Sequence, residues 1–97
     1  MRFEWDEDKN RVNTHKHGLD FSDAWEVFAG PMLVGLDDRE EYGEDRWIGV
    51  GTLRSVVVVV VFTERDDDTI RIISMRKATS RERERYEQAL RDRLGPS

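Results

Sequence analysis

The sequence predicts an α+β domain in which two N-terminal helices and a C-terminal helix accompany a mostly antiparallel sheet of four to five strands. The first observation behind this class is a run of six valines from Val56 to Val61, which is typical of a buried central strand. The second is that short apolar runs flank it within a few residues, as antiparallel hairpins require. The third is that apolar residues near both ends of the chain recur at helical spacing. The 97 residues contain no linker-like segment, so we expect one domain over residues 1–97.

The N-terminal third predicts a short strand followed by two helices. Phe3-Glu4-Trp5 alternates apolar and polar residues and indicates the strand. Residues 6–17 contain neither proline nor glycine and predict the first helix, which Gly18 closes. Gly30-Pro31 ends the second helix. The apolar face of that second helix is formed at the spacing i, i+3, i+4 and i+7 by Phe21, Ala24, Trp25 and Phe28.

The middle of the chain predicts four more strands, at residues 32–36, 47–53, 56–63 and 69–76. The acidic segment Asp37–Asp45 separates the first two of these and is interpreted as a solvated loop. Strict alternation in the last strand sets two groups of side chains on opposite faces of the sheet. These groups are Ile70, Ile72, Ser74 and Arg76 on one face, and Arg71, Ile73, Met75 and Lys77 on the other.

A capping box at Thr79-Ser80-Arg81-Glu82 predicts the start of the final helix, because the Thr79 and Glu82 side chains can each bind an unpaired amide there. Gly95-Pro96 predicts its end. The apolar stripe of this helix consists of Tyr86, Ala89, Leu90 and Leu94.

The composition excludes several classes of protein. The chain has no cysteine, which excludes disulfides and thiolate sites. Its N-terminus is acidic rather than basic and apolar, and no apolar run approaches the length of a membrane helix, so we expect a cytoplasmic protein. The net charge of −5 disfavours nucleic-acid binding, but the charges are segregated. Six acidic residues lie within Asp37–Asp45, whereas arginine and lysine are concentrated between Arg71 and Arg85.

The first predicted helix carries a candidate phosphate-binding side, because Lys9, Asn13, Lys16 and His17 lie at i, i+4, i+7 and i+8. In that interpretation Lys16 supplies charge and His17 carries a proton. The plain alternative is a solvated helix face. His15 and His17 lie two residues apart and point about 200° away from each other on a helix, so we expect no metal site.

Two further polar groups follow predicted strands. Glu64 and Arg65 end the valine strand, and antiparallel pairing would make Arg71 a neighbour of Glu64; the plain alternative is a surface ion-pair cluster. Arg76 and Lys77 stand just before the capped helix, where two cations, free amides and the helix dipole together indicate an anion site.

Two motifs are specific in combination: Lys16-His17-Gly18 followed by a short helix, and the run from Ile72 to Thr79. Together with segments over nearly the whole chain, they resemble the BrnT family of toxins. The resemblance implies a RelE-type fold, RNA cleavage without a metal or other cofactor, and neutralisation by an antitoxin with a ribbon-helix-helix fold. Operator DNA would be bound only through that antitoxin, and a homodimer within the complex is left open. Other matching segments are Phe3-Glu4-Trp5-Asp6, Lys9, Asn13, Phe21, Ala24, Val27-Phe28, Arg46-Trp47-Ile48 and Thr63-Glu64-Arg65.

The resemblance and the residue patterns together give a set of candidate site residues. His17 or Glu64 would accept the proton of the ribose 2′-hydroxyl, and Lys16 or Tyr86 would protonate the leaving oxygen. The candidate catalytic residues are Lys16, His17, Glu64, Arg65 and Arg76. The candidate RNA-binding residues are Lys9, Asn13, Arg46, Arg71, Lys77, Arg81, Arg83 and Tyr86.

Two functional hypotheses follow. The preferred one is an endoribonuclease toxin that cleaves RNA by acid-base and electrostatic catalysis and thereby inhibits translation and growth. The alternative is a non-catalytic binding module that complexes a DNA-binding antitoxin and tunes repression of its operon. Growth arrest on expression discriminates between them, because a binding module alone should not arrest growth.

Overall fold

The computed structural model describes the backbone of residues 1–94 and the side chains of residues 1–93. It confirms the predicted α+β class, with five strands, two N-terminal helices and a C-terminal helix. A short 3-10 turn, Phe21–Asp23, leads into the second helix because Asp20 accepts a hydrogen bond from the Ser22 amide. The predicted helix stop at Gly95-Pro96 and the Leu94 side chain lie outside the described residues. The elements are β1 Arg2–Glu4, α1 Glu7–His17, α2 Ala24–Phe28, β2 Leu33–Leu36, β3 Trp47–Leu53, β4 Val56–Asp66, β5 Thr69–Lys77 and α3 Ser80–Leu94.

The strands form one sheet in the order β1-β5-β4-β3-β2, in which β1 is parallel to β5 and the other neighbours are antiparallel. The valine strand β4 lies at the centre and is buried on both faces, as its composition predicts. On one face, which we call the core face, Val58, Val60 and Phe62 pack in the main hydrophobic cluster with α2. Helix α3 lies against part of the opposite face, where Glu82 and Arg85 line a groove together with Ile48 and Val50 of β3.

A β-bulge in β5 changes which side chains share a face. Val61 pairs with Ser74 but Phe62 pairs with Ile72, so Ile73 is an extra residue in the ladder. The strict alternation expected for this strand is therefore wrong, and Ile72 and Met75 both lie in the core. By the same register, Arg71, Ser74 and Arg76 stand in a row on the opposite face, across from Thr63, Val61 and Val59.

Helix α1 is attached to the free edge of β5 by one asparagine. β1 reaches only as far as Arg71 along that edge. Beyond it, the Asn13 amide donates to the carbonyl oxygens of Met75 (2.8 Å) and Leu19 (3.2 Å), and the Met75 amide donates to Asn13 Oδ1 (3.2 Å). Asn13 thus takes the place of a further strand and positions the C-terminal half of α1 beside Ile73 and Ser74.

The helix ends are formed as their sequences predict. Asp6 accepts a hydrogen bond from the Lys9 amide at the start of α1, and Gly18 closes the helix in the left-handed conformation with φ 70°. Among residues 1–94, no helix is long and apolar enough to cross a membrane.

Candidate functional site

Arginine side chains from separate parts of the chain gather on the sheet face opposite the core face. Arg71 and Arg76 come from β5, and Arg46 immediately precedes β3. Continuing the β3–β4 register sets Arg46 across from Thr63, which pairs in turn with Arg71. The Thr63 hydroxyl donates to the Asp45 carbonyl oxygen at 2.9 Å and holds this end of the acidic segment on the sheet.

Arg76 is fixed by a carboxylate at the start of α3. Its Nη1 and Nη2 donate to the two oxygens of Glu82 at 2.8 and 2.9 Å. Glu82 also accepts from the Thr79 amide at 2.8 Å, and the Glu82 amide donates to the Thr79 hydroxyl, so the predicted capping box is confirmed. The hydrogen bonds from Arg76 are the main reason that the pKa of Glu82 falls to about 2, and Glu82 in turn raises the pKa of Arg76. Arg76 is thereby held in one orientation with 40% of its side chain exposed.

The acidic segment after β2 begins with a residue folded onto the sheet, so the prediction of a solvated loop is wrong for Asp37. The Asp37 side chain is buried and accepts from Arg39 Nε and Nη2, both at 2.8 Å, and from the Tyr42 hydroxyl at 3.3 Å. The hydrogen bond from Arg39 lowers the pKa of Asp37 to about 2. The Asp37 amide donates to the Arg46 carbonyl oxygen at 2.7 Å, which extends the β2–β3 pairing by one residue.

This arrangement adds Arg39 to the basic cluster. Asp37 lies across from Arg46 in the β2–β3 pairing, so the Asp37 side chain and the Arg39 guanidinium bound to it lie on the same face as Arg46. The Arg46 guanidinium stacks on the Tyr42 ring, with Cζ 4.1 Å from the ring centroid. We call Arg39, Arg46, Arg71 and Arg76 the arginine face. Sequence reasoning missed Arg39 because its neighbours are acidic; the one signal was an arginine two residues after an aspartate at a strand end.

The candidate residues of α1 are not on the arginine face itself. They lie at the free edge of β5, which borders that face. Lys9, Lys16 and His17 line a groove of about 410 Å³ between α1 and the bulge. They therefore lie on one side of the helix, as their spacing predicts. Ser74 also lines this groove, and its position in the sheet register lies on the arginine face. Ser74 therefore borders both the arginine face and the α1 groove.

Glu64 and Arg65 lie elsewhere. Glu64 pairs with Ile70, whereas Arg76 pairs with Val59. Val59 and Glu64 are five positions apart in β4, which corresponds to about 17 Å along the strand. Arg65 Nη1 lies 3.1 Å from a carboxylate oxygen of Glu4. The structure therefore does not bring the five candidate catalytic residues into one site.

Two candidate RNA-binding residues are buried, and their polar groups bind the protein backbone instead of being available to RNA. Tyr86 is only 1% exposed, and its hydroxyl donates to the Pro31 carbonyl oxygen at 2.8 Å, so neither RNA contact nor proton donation to a leaving group is available to it. Asn13 is buried and its amide is occupied by backbone groups, so it positions α1.

The other predicted RNA-binding residues are exposed or half-buried. Lys77 pairs with Val58 and so follows the core side of the sheet, away from Arg76. Arg81 and Arg83 are exposed on the first turn of α3. Arg83 Nε lies 3.8 Å from Glu87 Oε1. Within residues 1–94, no group of three or more histidine, aspartate or glutamate side chains is arranged to hold a metal ion.

Comparison with known proteins finds similarity both to a sequence family and to a solved structure. A family model described as "Ribonuclease toxin, BrnT, of type II toxin-antitoxin system" matches residues 5–82. The fold is similar to the 1.1 Å crystal structure of the Brucella abortus ribonuclease toxin BrnT, with a TM-score of 0.67 and 32% sequence identity over 82% of this chain and 99% of that one. No curated protein sequence matches the chain.

Proposed function

The chain belongs to the BrnT family of ribonuclease toxins of type II toxin-antitoxin systems, and from this premise we propose that it binds RNA on the arginine face and cleaves it there without a metal ion. The observation that carries the proposal is the set of oriented guanidinium groups on one open sheet face. Guanidinium groups match the geometry of phosphate oxygens, and those of Arg39 and Arg76 are already held by carboxylates. A local basic surface of this kind offsets the net charge of −5.

The proposed reaction is an internal transfer at phosphorus. The ribose 2′-oxygen attacks the adjacent phosphate as its proton passes to a base, and the bond to the 5′-oxygen of the next nucleotide breaks as that oxygen takes a proton. The products are a 2′,3′-cyclic phosphate and a 5′-hydroxyl. Arg76 stabilises the charge that develops on the phosphoryl oxygens.

We assign the proton transfers to α1. His17 is proposed as the base and Lys16 as the acid, because both line the groove that meets the arginine face at Ser74. Histidine takes up and releases protons near neutral pH. Glu64, the other candidate base, is separated from Arg76 by five residue positions along β4, which supports the choice of His17.

Cleavage of a defined RNA by the purified chain is expected to be unaffected by EDTA, because the proposed chemistry uses side chains alone. The assay measures product formation by gel and the cyclic phosphate by mass spectrometry. A preparation of the Arg76→Ala variant, purified identically, controls for contaminating nucleases. Activity that disappears with EDTA and returns with Mg²⁺ would contradict the proposal.

As a toxin of this family, the chain has an antitoxin partner. We propose that the antitoxin is a ribbon-helix-helix protein that covers the arginine face and the start of α3, so that RNA and antitoxin exclude each other. Growth and translation are then inhibited only when the antitoxin is absent. Exposed cations in the first turns of α3 support this: Arg81, Arg83 and Arg85.

Reversing two charges at the start of α3 is expected to slow association with the antitoxin. The double variant Arg81→Glu with Arg85→Glu should lower the association rate about tenfold or more at low salt, and less at high salt, because long-range attraction is screened. Surface plasmon resonance over a salt series measures this. Arg2→Glu with Arg11→Glu, which makes the same change of charge at exposed residues of β1 and α1, is the matched control and should slow association less. An unchanged rate for the α3 variant would exclude the basic-face model.

A further inference from the structure

Strand β2 is an open edge of the sheet. In the described part of the chain it pairs with β3 alone and ends the strand order. Its residues Val34 and Leu36 are 52% and 54% exposed, and both pair with core-face positions of β3. Natural sheets usually protect such edges with charge, proline or covering chain, because an exposed apolar edge invites pairing with another strand. The residues of β2, Leu33–Leu36, include neither charge nor proline.

The free backbone groups of this edge can be assigned from the neighbouring pairing. The Asp37 amide donates to Arg46 of the adjoining strand, so the backbone of Asp37 is directed at β3. Backbone direction alternates along a strand, and Leu33 and Gly35 therefore also face β3. The amide and carbonyl groups of Val34 and Leu36 point away from the sheet. These are the same two residues whose apolar side chains are exposed.

We propose that β2 pairs antiparallel with β2 of a second copy of this chain, about a two-fold axis at Gly35, and so joins the two sheets into one. Val34 then lies opposite Leu36 of the second copy, and the reverse pair forms across the axis. Both pairs are of the hydrogen-bonded kind, and the two glycines meet at the close, non-hydrogen-bonded position, where the absence of a side chain permits the approach. The pairing is self-complementary and closed, as a symmetric dimer requires.

Charge is the reason to choose a second copy as the occupant. The acidic segment Asp37–Asp45 follows β2, and Arg93 of α3 donates to the Met32 carbonyl oxygen just before β2. Antiparallel pairing sets the end of one β2 beside the start of the other. Asp38, which is exposed, then lies next to Arg93 of the second copy, and Arg85, which lines the groove beside β2, extends the same basic side. The segregated charges of one chain thus complement those of its copy.

Sedimentation of the purified chain tests the dimer without reference to RNA cleavage, so the outcome is independent of the proposed function. The expected mass is twice 11.4 kDa. Leu36→Lys is expected to raise the dimer dissociation constant at least tenfold, because it adds a charge at the paired edge. Val56→Lys, at a residue 41% exposed near the β3–β4 turn, is the matched control and should leave the dimer unchanged.

A charge exchange tests the orientation of the two chains. Asp38→Arg and Arg93→Asp should each weaken the dimer, and an equimolar mixture of the two variants should associate more tightly than either variant alone. A wild-type chain that stays monomeric at high concentration would overturn the proposal. A dimer that Leu36→Lys leaves unchanged would also overturn it. A third contradicting result is a monomeric wild-type chain whose Leu36→Lys variant loses antitoxin binding, since the β2 edge would then bind the antitoxin.

Discussion

The Arg76→Ala variant is expected to cleave RNA about 10²–10³-fold more slowly than the wild-type chain, the loss typical of removing one fixed donor from a developing oxyanion. Arg76 is held in one orientation on the arginine face, since Glu82 binds both of its terminal nitrogens. Lysine has no planar fork, so Arg76→Lys should recover only part of the rate. Single-turnover cleavage of a defined RNA measures these rates, and expression without antitoxin should no longer arrest growth.

The fold of these variants is expected to remain intact. The Arg76–Glu82 pair is partly exposed, and pairs of this kind contribute little to stability. Circular dichroism and thermal unfolding provide the check. Glu82→Gln is the useful companion variant, because it keeps Arg76 while removing the charge that fixes it. A natively folded Arg76→Ala chain with the wild-type rate would refute the assignment. Because the pKa of Glu82 is about 2, the pair stays ionised throughout the assay range, and a pH profile of cleavage reports other groups.

Replacing Asn13 with alanine is expected to cost about 3 kcal/mol of unfolding free energy, since buried backbone groups without partners cost about 1–3 kcal/mol each. The variant leaves the Met75 amide and carbonyl groups without the Asn13 partner. The Leu19 carbonyl oxygen keeps its bond from the Thr14 hydroxyl, so it adds little. A loss of this size is a large part of the stability of a small domain.

Urea unfolding of the Asn13→Ala chain measures this cost. Val12→Ala on the same helix is the matched control, because Val12 is 68% exposed and should change stability by only a few tenths of a kcal/mol. Equal stabilities of the two variants would show that Asn13 does not hold α1 on the sheet.

The elements of this fold could be predicted from the sequence because their signals are local. β3 occupies the predicted residues 47–53, and α1 begins one residue after the predicted start because Asp6 is its cap. The bulge at Ile73 could not be predicted in this way. It arises from the pairing between β4 and β5, and no sequence pattern within β5 indicates the extra residue. Its effect is large, because it moves Arg71 to the face that carries Arg76.

In the candidate site, too, local sequence signals predicted some residues correctly, whereas tertiary contacts decided the others. The capping box identified Glu82 from spacing alone, and helical periodicity grouped Lys9, Lys16 and His17 correctly in one groove. Arg39 was missed because its role depends on the burial of Asp37, which is a tertiary event. Tyr86 was assigned two incompatible roles, in an apolar stripe and in RNA binding, and its burial supports only the first. Whether the remaining residues contact RNA stays a prediction.

The pair between Arg76 and Glu82 has a consequence for ligand choice. Any anion that reaches Arg76 must share it with, or displace, a carboxylate that is already bound at two points. A small solution anion such as chloride offers one weak contact and gains little from that exchange. A polyanion differs, because contacts to the neighbouring arginines hold it near Arg76 at a high effective concentration while the exchange takes place. We therefore expect the internal carboxylate to disfavour the binding of simple salts at Arg76 and to favour ligands that carry several phosphates in a row.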